Sequence, residues 1–420
     1  MRRNILIASL VLSLTSVTAF DALASAKGEA AFARADSPAV TRTFTVTTTA
    51  DAGTGSLREA IERVNVECAA GDSVCKIDFN LPRPSTIAPL TPLPAITACG
   101  KIDIFRMVLT STELDLEISG RNVSSGSGLE IRPHCSEGVR RVSLSNFAIN
   151  GFPDNGLTIH PTLTKHHVEA AFLFIGTDLT GLQPRPNAWR GIALTSSLAS
   201  MRLTYSVVSG NGRSGIWAWD SDEFRITWSN IGAGRDGRPL GNGASGVAVL
   251  RGKGYIDSST IAYNGHWGVS AVPGASMNAA HGNSIHSNGV LGVDWGIDFQ
   301  TLQQLPNSPA APVITSASFD PATGLTTIRG TITLSIATPN RHIIHVYSNS
   351  RLNARGFVEG EHYEGLDPEL DTEGRTGTIE WEVPTGGDLR GRILSAITSY
   401  RLPEADWAHS SSEFSNPFFF

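Results

Sequence analysis

A glycine followed by a short, alternating apolar segment occurs six times in the middle of the chain. The copies are GLTIH at 156, GIALT at 191, GIWAW at 215, GVAVL at 246, GVSAV at 268 and GVDWG at 292. Successive copies begin 35, 24, 31, 22 and 24 residues apart, and a second apolar segment ending in Asn-Gly precedes several of them. Such a period, with a turn signal at one corner, is typical of a solenoid. A hairpin meander gives no reason for the copies to stack, so we expect each repeat to form one rung of a coil.

The alternation within the repeats predicts which side chains fill the coil. The second strand of each rung predicts two inward rows: Leu157, Ile192, Ile216, Val247, Val269 and Val293, and Ile159, Leu194, Ala218, Val249, Ala271 and Trp295. The first strand predicts a third row: Phe147, Ile175, Val208, Ile231, Ile261 and Ile285. Each residue would stack on its counterpart at a strand spacing of about 4.8 Å. Each buried aliphatic side chain would contribute roughly 1.5–3 kcal/mol.

One corner of the predicted coil carries Asn-Gly. Four asparagines are expected to stack and to pass amide hydrogen bonds along the coil axis, namely Asn150, Asn211, Asn264 and Asn288. The glycine after each of them is expected to give the corner a positive φ. Two steps are longer, and we expect their extra residues, 176–190 and 232–245, to replace this corner with loops.

Residues 55–65, GSLREAIERVN, predict a helix that covers one end of the coil. Ser56 and Glu59 have the spacing of a capping box, and the apolar residues Leu57, Ala60, Ile61 and Val64 would lie on one helical face. A cover is needed because an open coil exposes the unpaired edge of its terminal strand.

The longer segment FTVTTTADAGTGSLREAIERVN (44–65) resembles the N-terminal signature of CSLREA-type secreted bacterial β-helix proteins. FIGTDLTG (174–181), NSIHSNGVLGVDWG (283–296) and SSSEFSNP (410–417) are similar to the same group. The resemblance implies an exported, right-handed parallel β-helix of the pectate-lyase-like kind. Thr54 and Gly55 stand where that motif begins with cysteine, so the disulfide pattern of the family is not transferred. The resemblance implies no particular activity, because proteins with this fold differ in their chemistry.

The pattern changes after Gly296. Residues 301–312 predict a linker, and residues 313–420 contain alternating segments separated by turn signals, such as TTIRGTITLSI and RILSAITSY. This pattern is typical of a β-sandwich, and we predict an immunoglobulin-like one that acts as a spacer or as a C-terminal cap. The predicted fold class is therefore all-β: a helix-capped right-handed parallel β-helix over 43–300, followed by the sandwich over 313–420.

The N-terminus has the pattern of a secretory signal peptide over residues 1–26, with two arginines, a mostly apolar segment and ALASA as a cleavage site. A short membrane anchor is the alternative, but Ser and Thr interrupt the apolar run, which lacks the roughly 20 apolar residues that a span needs. Residues 27–42 would form a flexible leader, and the mature chain would contain no stable membrane span. We therefore expect a bacterial protein that is secreted, either extracellular or at the cell surface.

Export also favours disulfides, since the chain has four cysteines. Proximity favours the pairs Cys68–Cys75 and Cys99–Cys135, which is one of about three ways to join four cysteines. No CxxC pair occurs, which argues against a metal site. Only 17% of the residues are charged and the net charge is −6, which argues against a nucleic-acid partner.

Two outward rows of the first strand carry polar residues. The first reads Arg141, Glu169, Arg202, Arg225 and Tyr255, and the second Ser143, Ala171, Thr204, Thr227, Asp257 and His281. Arg202 and Arg225, and likewise Asp257 and His281, are one rung apart. An aspartate can orient a histidine as a base, and arginines suit carboxylates. These four residues are predicted to be catalytic in a polysaccharide lyase, with His281 removing the C5 proton of a uronate. The alternative is a solvated polar face.

Trp217 and Trp219 alternate with inward residues, so both are expected to point outward and to contact a sugar or a protein. The alternative is that the loop 176–190, with Trp189, covers them. Asp220 and Asp222 follow directly and are predicted to bind substrate as well.

With Glu223, Asp220 and Asp222 would also suit glycoside hydrolysis, the second choice of enzyme. Calcium could bind there or in the loops that contain Asp178 and Asp236, and otherwise no cofactor or metal is expected. The predicted function is recognition of an extracellular polysaccharide, with cleavage by a lyase in the enzymatic form. The competing hypothesis is a non-catalytic surface or adhesion protein.

Overall fold

The computed structural model describes residues 41–69, 73–107, 114–135, 140–272, 275–295, 310–335, 341–367, 370–401 and 410–420. The predicted signal peptide, residues 27–40 of the leader and residues 301–309 of the linker lie outside the described residues. In the described part of the chain, one helix lies among 28 strands, so the all-β prediction is confirmed.

The helix α1 spans Leu57–Glu67. The first twenty strands are β1 Thr41–Val46, β2 Val74–Phe79, β3 Ser85–Ile87, β4 Lys101–Phe105, β5 Leu116–Ser119, β6 Leu129–Ile131, β7 Arg140–Asn150, β8 Leu157–Ile159, β9 His166–Ile175, β10 Ile192–Thr204, β11 Val207–Val208, β12 Ile216–Thr227, β13 Asn230–Ile231, β14 Val247–Val249, β15 Lys253–Asp257, β16 Thr260–Ala262, β17 Val269–Ala271, β18 Ser276–His281, β19 Ser284–His286 and β20 Val293–Trp295. The remaining strands are β21 Val313–Asp320, β22 Leu325–Leu334, β23 Arg341–Asn349, β24 His362–Asp367, β25 Gly377–Gly386, β26 Ile393–Arg401, β27 Ser410–Ser411 and β28 Phe418–Phe419.

Strands β1 to β20 form a parallel β-helix. Each pairs in parallel with the strand one rung before and one rung after it, in three columns. The first column contains β1, β2, β4, β7, β9, β10, β12, β15 and β18, the second β3, β5, β7, β9, β11, β13, β16 and β19, and the third β6, β8, β10, β12, β14, β17 and β20. In such a coil, the residues at each inward-facing position of successive rungs form one row of buried side chains.

The predicted rows of the second strand are confirmed from Leu157 to Val293 and from Ile159 to Trp295. The first-strand row is right from Ile175 onward, but its first member is Ile149, because Phe147 lies beside Leu173 instead. The outward rows contain the same two-residue error at their start. Ser143, not Arg141, lies beside Glu169, and Ser145, not Ser143, lies beside Ala171.

A buried ladder of asparagine amides runs along the corner between the second and third columns. Each Nδ2 donates to the next Oδ1 at 2.9–3.0 Å, and the members are Asn187, Asn211, Asn242, Asn264 and Asn288. Asn150 was predicted to belong to it, but its Nδ2 donates to Glu117 and to the Thr177 carbonyl instead. The two long loops therefore do not replace the corner. They precede it, and each ends in a ladder asparagine.

The glycine that opens each second strand is explained by this ladder. A Cβ on Gly215 would lie 2.8 Å from Asn242 Nδ2, and one on Gly246 would lie 2.7 Å from Asn264 Nδ2. The prediction of a positive φ after the asparagines holds for Gly151, at +71°. Gly212, Gly265 and Gly289 are needed for another reason, since a Cβ at each would come within 2.6 Å of a carbonyl oxygen of the neighbouring rung.

Helix α1 covers one end of the coil as predicted. Ser56 is its N-cap and accepts a hydrogen bond from Glu59 N, and the buried face consists of Leu57, Ala60, Ile61 and Val64. Both predicted disulfides, Cys68–Cys75 and Cys99–Cys135, are formed in this part of the molecule. No helix in the described ranges is both long and apolar enough to cross a membrane.

The C-terminal strands form a β-sandwich of two antiparallel sheets. One sheet has the order β21-β22-β25, and the other has the order β24-β23-β26-β27, with β28 beside β26. Its immunoglobulin-like character stays a prediction. The sandwich also covers the last rungs of the coil, because Tyr347 and Ile397 pack into the coil core. Trp295 Nε1 donates to Ser411 O at 2.6 Å, and Ile285 and Gly360 exchange backbone hydrogen bonds. The sandwich therefore acts as the cap of this end.

Candidate functional site

Asp257 and His281 end β15 and β18, which are neighbours in the first column, and they face each other across one rung. His281 Nδ1 and Asp257 Oδ1 are 2.9 Å apart, with 47% of the histidine side chain and 24% of the aspartate side chain exposed. The structure thus brings together the pair that the sequence predicted. Because nearly half of the histidine side chain is exposed, the pair can be reached from solvent.

The aspartate changes the acid–base behaviour of the histidine. The hydrogen bond that His281 donates to the Asp257 carboxylate raises the pKa of His281 above its ordinary value, and partial burial opposes this shift. Below that raised pKa the imidazolium can donate a proton, and above it the neutral ring can accept one. The pair can therefore act as an oriented general acid or base.

Two residues of the sandwich stand beside this pair, and neither was among the predicted site residues. The rings of His345 and Tyr363 lie 6.0 Å and 5.9 Å from the ring of His281, between centroids. Burial, and next the charge of His281, lower the pKa of His345 to about 3, so it is neutral. Burial and then Asp257 raise the pKa of Tyr363, so its phenol keeps its proton. No signal in a single repeat could have identified them, because they come from the other part of the fold.

The two predicted arginines are neighbours, but they are not equivalent. Arg202 and Arg225 pair across one rung of β10 and β12, and Arg225 lies next to Tyr255, two residues before Asp257. Arg225 Nε donates to Glu223 Oε1 at 2.7 Å, so its charge is largely compensated. Arg202 is exposed, and its charge acts on Glu169 and His167. Arg202 is therefore the better placed of the two for an external carboxylate.

A column of exposed aromatic rings, missed in the sequence, lies directly beside the second outward row. Phe172 and Tyr205 stack with centroids 5.1 Å apart, and Tyr205 and Trp228 stack at 6.4 Å. Between 48% and 59% of each residue is exposed. Trp228 N donates to Asp257 O at 3.4 Å, so the column reaches the rung of the Asp257–His281 pair. We call Phe172, Tyr205 and Trp228 the aromatic column.

The backbone at the aromatic column is left-handed. Phe172, Tyr205 and Trp228 have φ between 50° and 53°, and the equivalent residues of other rungs are Asn146, Ser258 and Gly282. This conformation favours Gly and Asn and costs other residues roughly 1–2 kcal/mol. In the sequence, the three rings directly precede Leu173, Ser206 and Ser229. Alternation alone, however, does not reveal a corner where φ changes sign.

Trp217 and Trp219 form a second aromatic group, 5.3 Å apart between ring centroids. Trp219 is 51% exposed and occupies a bulge in β12, whereas Trp217 is half-buried with the Arg190 guanidinium 3.8 Å above its ring. Trp189 is itself 46% exposed. The loop 176–190 therefore shields Trp217 through Arg190 and leaves Trp219 open.

The predicted acidic residues are mostly engaged locally. Asp222 Oδ2 is 3.3 Å from Lys165 Nζ, and Asp220 lies opposite Thr195 in the ladder of β10 and β12. Asp178 accepts hydrogen bonds from Thr180, Leu182 and Gln183 within its own loop, and Asp236 accepts one from Arg238 N. Among the residues that the structure describes, no three His, Cys, Asp or Glu side chains are grouped closely enough to hold a metal ion.

No protein-family model and no curated protein sequence matches this chain. Among solved structures, it is similar to the enzymatically active domain of tailspike protein 2 of bacteriophage CBA120, with 10% identity and a TM-score of 0.26 over 80% of this chain and 66% of that one. It is also similar to full-length tailspike protein 2 from an Escherichia coli O157:H7 bacteriophage, with 11% identity and a TM-score of 0.23 over 82% and 62% of the two chains. The chain spans less than two thirds of either. The β-helix described above rests on the strand pairing of this chain itself, and the CSLREA resemblance stays a prediction.

Proposed function

We propose that this chain binds an extracellular polysaccharide along the aromatic column and cleaves it at the Asp257–His281 pair by β-elimination. The observation that carries the proposal is that an exposed stack of three rings ends at Trp228, one rung before Asp257 and two rungs before the histidine that Asp257 orients. Exposed aromatic surface of this kind is unusual unless it meets a partner. The two disulfides support an extracellular location.

The end of the stack supports a sugar-binding position next to the histidine. Ser258 and Gly282 continue the column beyond Trp228, and neither carries a ring. The face of Trp228 that is turned toward them is therefore free to stack on the apolar face of a sugar ring. Such a sugar would lie beside Asp257 and His281, whereas the sugars before it would pass along Tyr205 and Phe172.

The chemistry follows from the charges around the pair. Neutral His281 would take the C5 proton of a uronate, the C4–O bond would break, and a C4–C5 double bond would form. The leaving oxygen would take a proton from water or from the phenol of Tyr363. Arg202 lies three rungs before His281, so it would bind the carboxylate of a preceding uronate and position the chain. Because His281 must be neutral, the rate should rise with pH through its raised pKa.

The test is a panel of uronic-acid and neutral polysaccharides, with binding measured by calorimetry and cleavage by absorbance of the unsaturated product. Trp228→Asn suits the left-handed backbone and should weaken binding of the preferred glycan without unfolding the chain. His281→Asn should abolish cleavage and leave binding. Trp219→Ala is the matched control in the second aromatic group. If Trp219→Ala weakens binding and Trp228→Asn does not, the binding surface lies at Trp217 and Trp219.

A non-catalytic adhesion protein is the second candidate, and the pairing of Arg225 with Glu223 favours it. A face with one of its two arginines compensated would bind a carboxylate less strongly, which suits binding without cleavage. Glycan binding with no unsaturated product from any uronic-acid polymer would select this candidate.

A further inference from the structure

The contact between Asp257 and His281 depends on a bulge in β18. Tyr255 pairs with Asn278, whereas Asp257 pairs with His281, so two residues of β15 are matched by three of β18. Without the extra residue, Asp257 would lie opposite Ala280. Bulges of this kind redirect side chains next to functional sites. The bulge is therefore the feature that places a histidine against the aspartate.

Two hydrogen bonds to residues of the sandwich fix this bulge in place. Tyr347 Oη donates to the Ala280 carbonyl at 2.5 Å, and Ala279 N donates to Ser411 Oγ at 3.2 Å. Asn278 Oδ1 accepts from Ala280 N at 3.0 Å, which is a contact within the coil. Tyr347 is fully buried and packs edge-on against Phe414 and Tyr363. Its hydroxyl is thus fixed in position by the aromatic contacts at the junction of the sandwich and the coil.

We infer that the sandwich is a positioning element for the site, and that Tyr347 is the residue through which it sets the contact between His281 and Asp257. This goes beyond capping, since a cap needs only apolar contact with the last rung. The inference rests on the proposed function only for what His281 does to a substrate. The geometry that it concerns is present without any ligand.

The groups around His281 are few enough to make a clean measurement. Asp257 faces it from β15, and His345 and Tyr363 face it from β23 and β24. The hydrogen bond of Asp257 is the main cause of the raised pKa of His281, so this pKa reports whether the pair is formed. It can be followed by NMR titration of labelled histidine in the full chain, with no glycan present.

Four substitutions define the experiment. Asp257→Asn removes the partner and sets the full decrease of the His281 pKa. Tyr347→Phe removes only the hydroxyl at the bulge, and we expect at least half of that decrease. Tyr363→Phe removes a neighbouring hydroxyl that does not touch the bulge, and we expect no change. Ser411→Ala removes the second hydrogen bond to the bulge, which Ala279 N donates to Ser411 Oγ. Combined with Tyr347→Phe, it should lower the pKa of His281 further.

A wild-type His281 pKa in folded Tyr347→Phe would overturn the inference, because the bulge would then hold itself. An unchanged pKa in Asp257→Asn would overturn it as well, because the pair would not exist in solution. If Tyr347→Phe does not fold, Ser411→Ala carries the same test alone. Failure of the glycan panel leaves these outcomes untouched, so the two proposals can fail separately.

Discussion

The two corners at the ends of one short strand show how differently this coil uses its turns. Tyr205 and Asn211 lie on either side of β11 in the same rung. The corner at Asn211 is buried and carries the same residue in five successive rungs, each bonded to the next. The corner at Tyr205 is exposed and carries Asn, Phe, Tyr, Trp, Ser and Gly in turn. A uniform column stabilises the coil, and a varied column at an unfavourable φ indicates selection for something else.

The energies support this distinction. A buried amide that loses its partner costs about 1–3 kcal/mol, so every ladder asparagine depends on its neighbours. An exposed ring in the left-handed region costs roughly 1–2 kcal/mol, and a stacked pair returns about 0.5–1.5 kcal/mol. The three rings of the aromatic column therefore cost the fold at least as much as their two stacked pairs return, so the column does not stabilise the coil.

The largest effect is expected at the buried corner. Asn211 accepts from Asn187 and donates to Asn242 and to the Ile175 carbonyl, so Asn211→Ala interrupts the ladder in the middle. We expect it to lower the free energy of unfolding by about 3–5 kcal/mol, from unpaired groups and a small cavity. Denaturant unfolding followed by circular dichroism measures this.

Asn230→Ala is the matched control, because Asn230 is half-buried, lies outside the ladder and donates one hydrogen bond, to Gly234 O. Its loss should be about 1 kcal/mol. Equal losses for the two variants would mean that the ladder has no cooperative role, and the contrast between the corners would then disappear.

A smaller effect is expected where the ladder meets the sandwich. Asn288 Nδ2 donates to Glu359 Oε1 at 3.1 Å, and Glu359 is only 3% exposed. Burial raises the pKa of Glu359 to about 7. Since the folded state favours the protonated acid, this contribution to stability is complete below the unfolded value of 4.5 and is lost as the pH rises to about 7.

Glu359→Gln keeps an acceptor for Asn288 and removes this titration. At about pH 8 the variant should be more stable than the native chain by about 2–3 kcal/mol, with the difference shrinking as the pH falls. Burial also raises the pKa of Asp294 and of Glu413 in the same junction, but these groups are present in both proteins. The difference in stability between the variant and the native chain therefore isolates Glu359. A difference that does not vary with pH would show that Glu359 is ionised in the folded chain.

The same contrast explains what could be predicted from the sequence. The inward rows and the Asp257–His281 pair follow from a period-two alternation repeated at one rung. The errors at Phe147, Arg141 and Ser143 are a single two-residue shift of the whole of β7, since the separation of paired residues is the same from Arg140–His166 to Ile149–Ile175. Asn187 and Asn242 were missed because each lies near the end of a long loop.

The sandwich residues beside His281 could not have been predicted. Tyr347 and Tyr363 belong to strands with no repeat, and their position depends on how the sandwich docks on the last rungs. The aromatic column was missed because its members stand at different distances from the Asn-Gly signals, and because nothing in alternation distinguishes a left-handed corner from a strand.

The smallest effect on folding is expected at the exposed corner, and it is the sharpest test of its role. Tyr205 lies in the middle of the aromatic column with φ of 50°. Tyr205→Asn loses two stacked contacts but relieves the backbone, so the free energy of unfolding should change by less than about 1 kcal/mol. Binding of the preferred glycan should weaken by about 1–3 kcal/mol, as for other aromatic anchors. The reverse change, Asn146→Tyr, would add a fourth ring beside Phe172 and should strengthen binding of longer chains. A large loss of stability in Tyr205→Asn with unchanged binding would mean that the column is a structural stack, and the two corners would then differ in exposure but not in purpose.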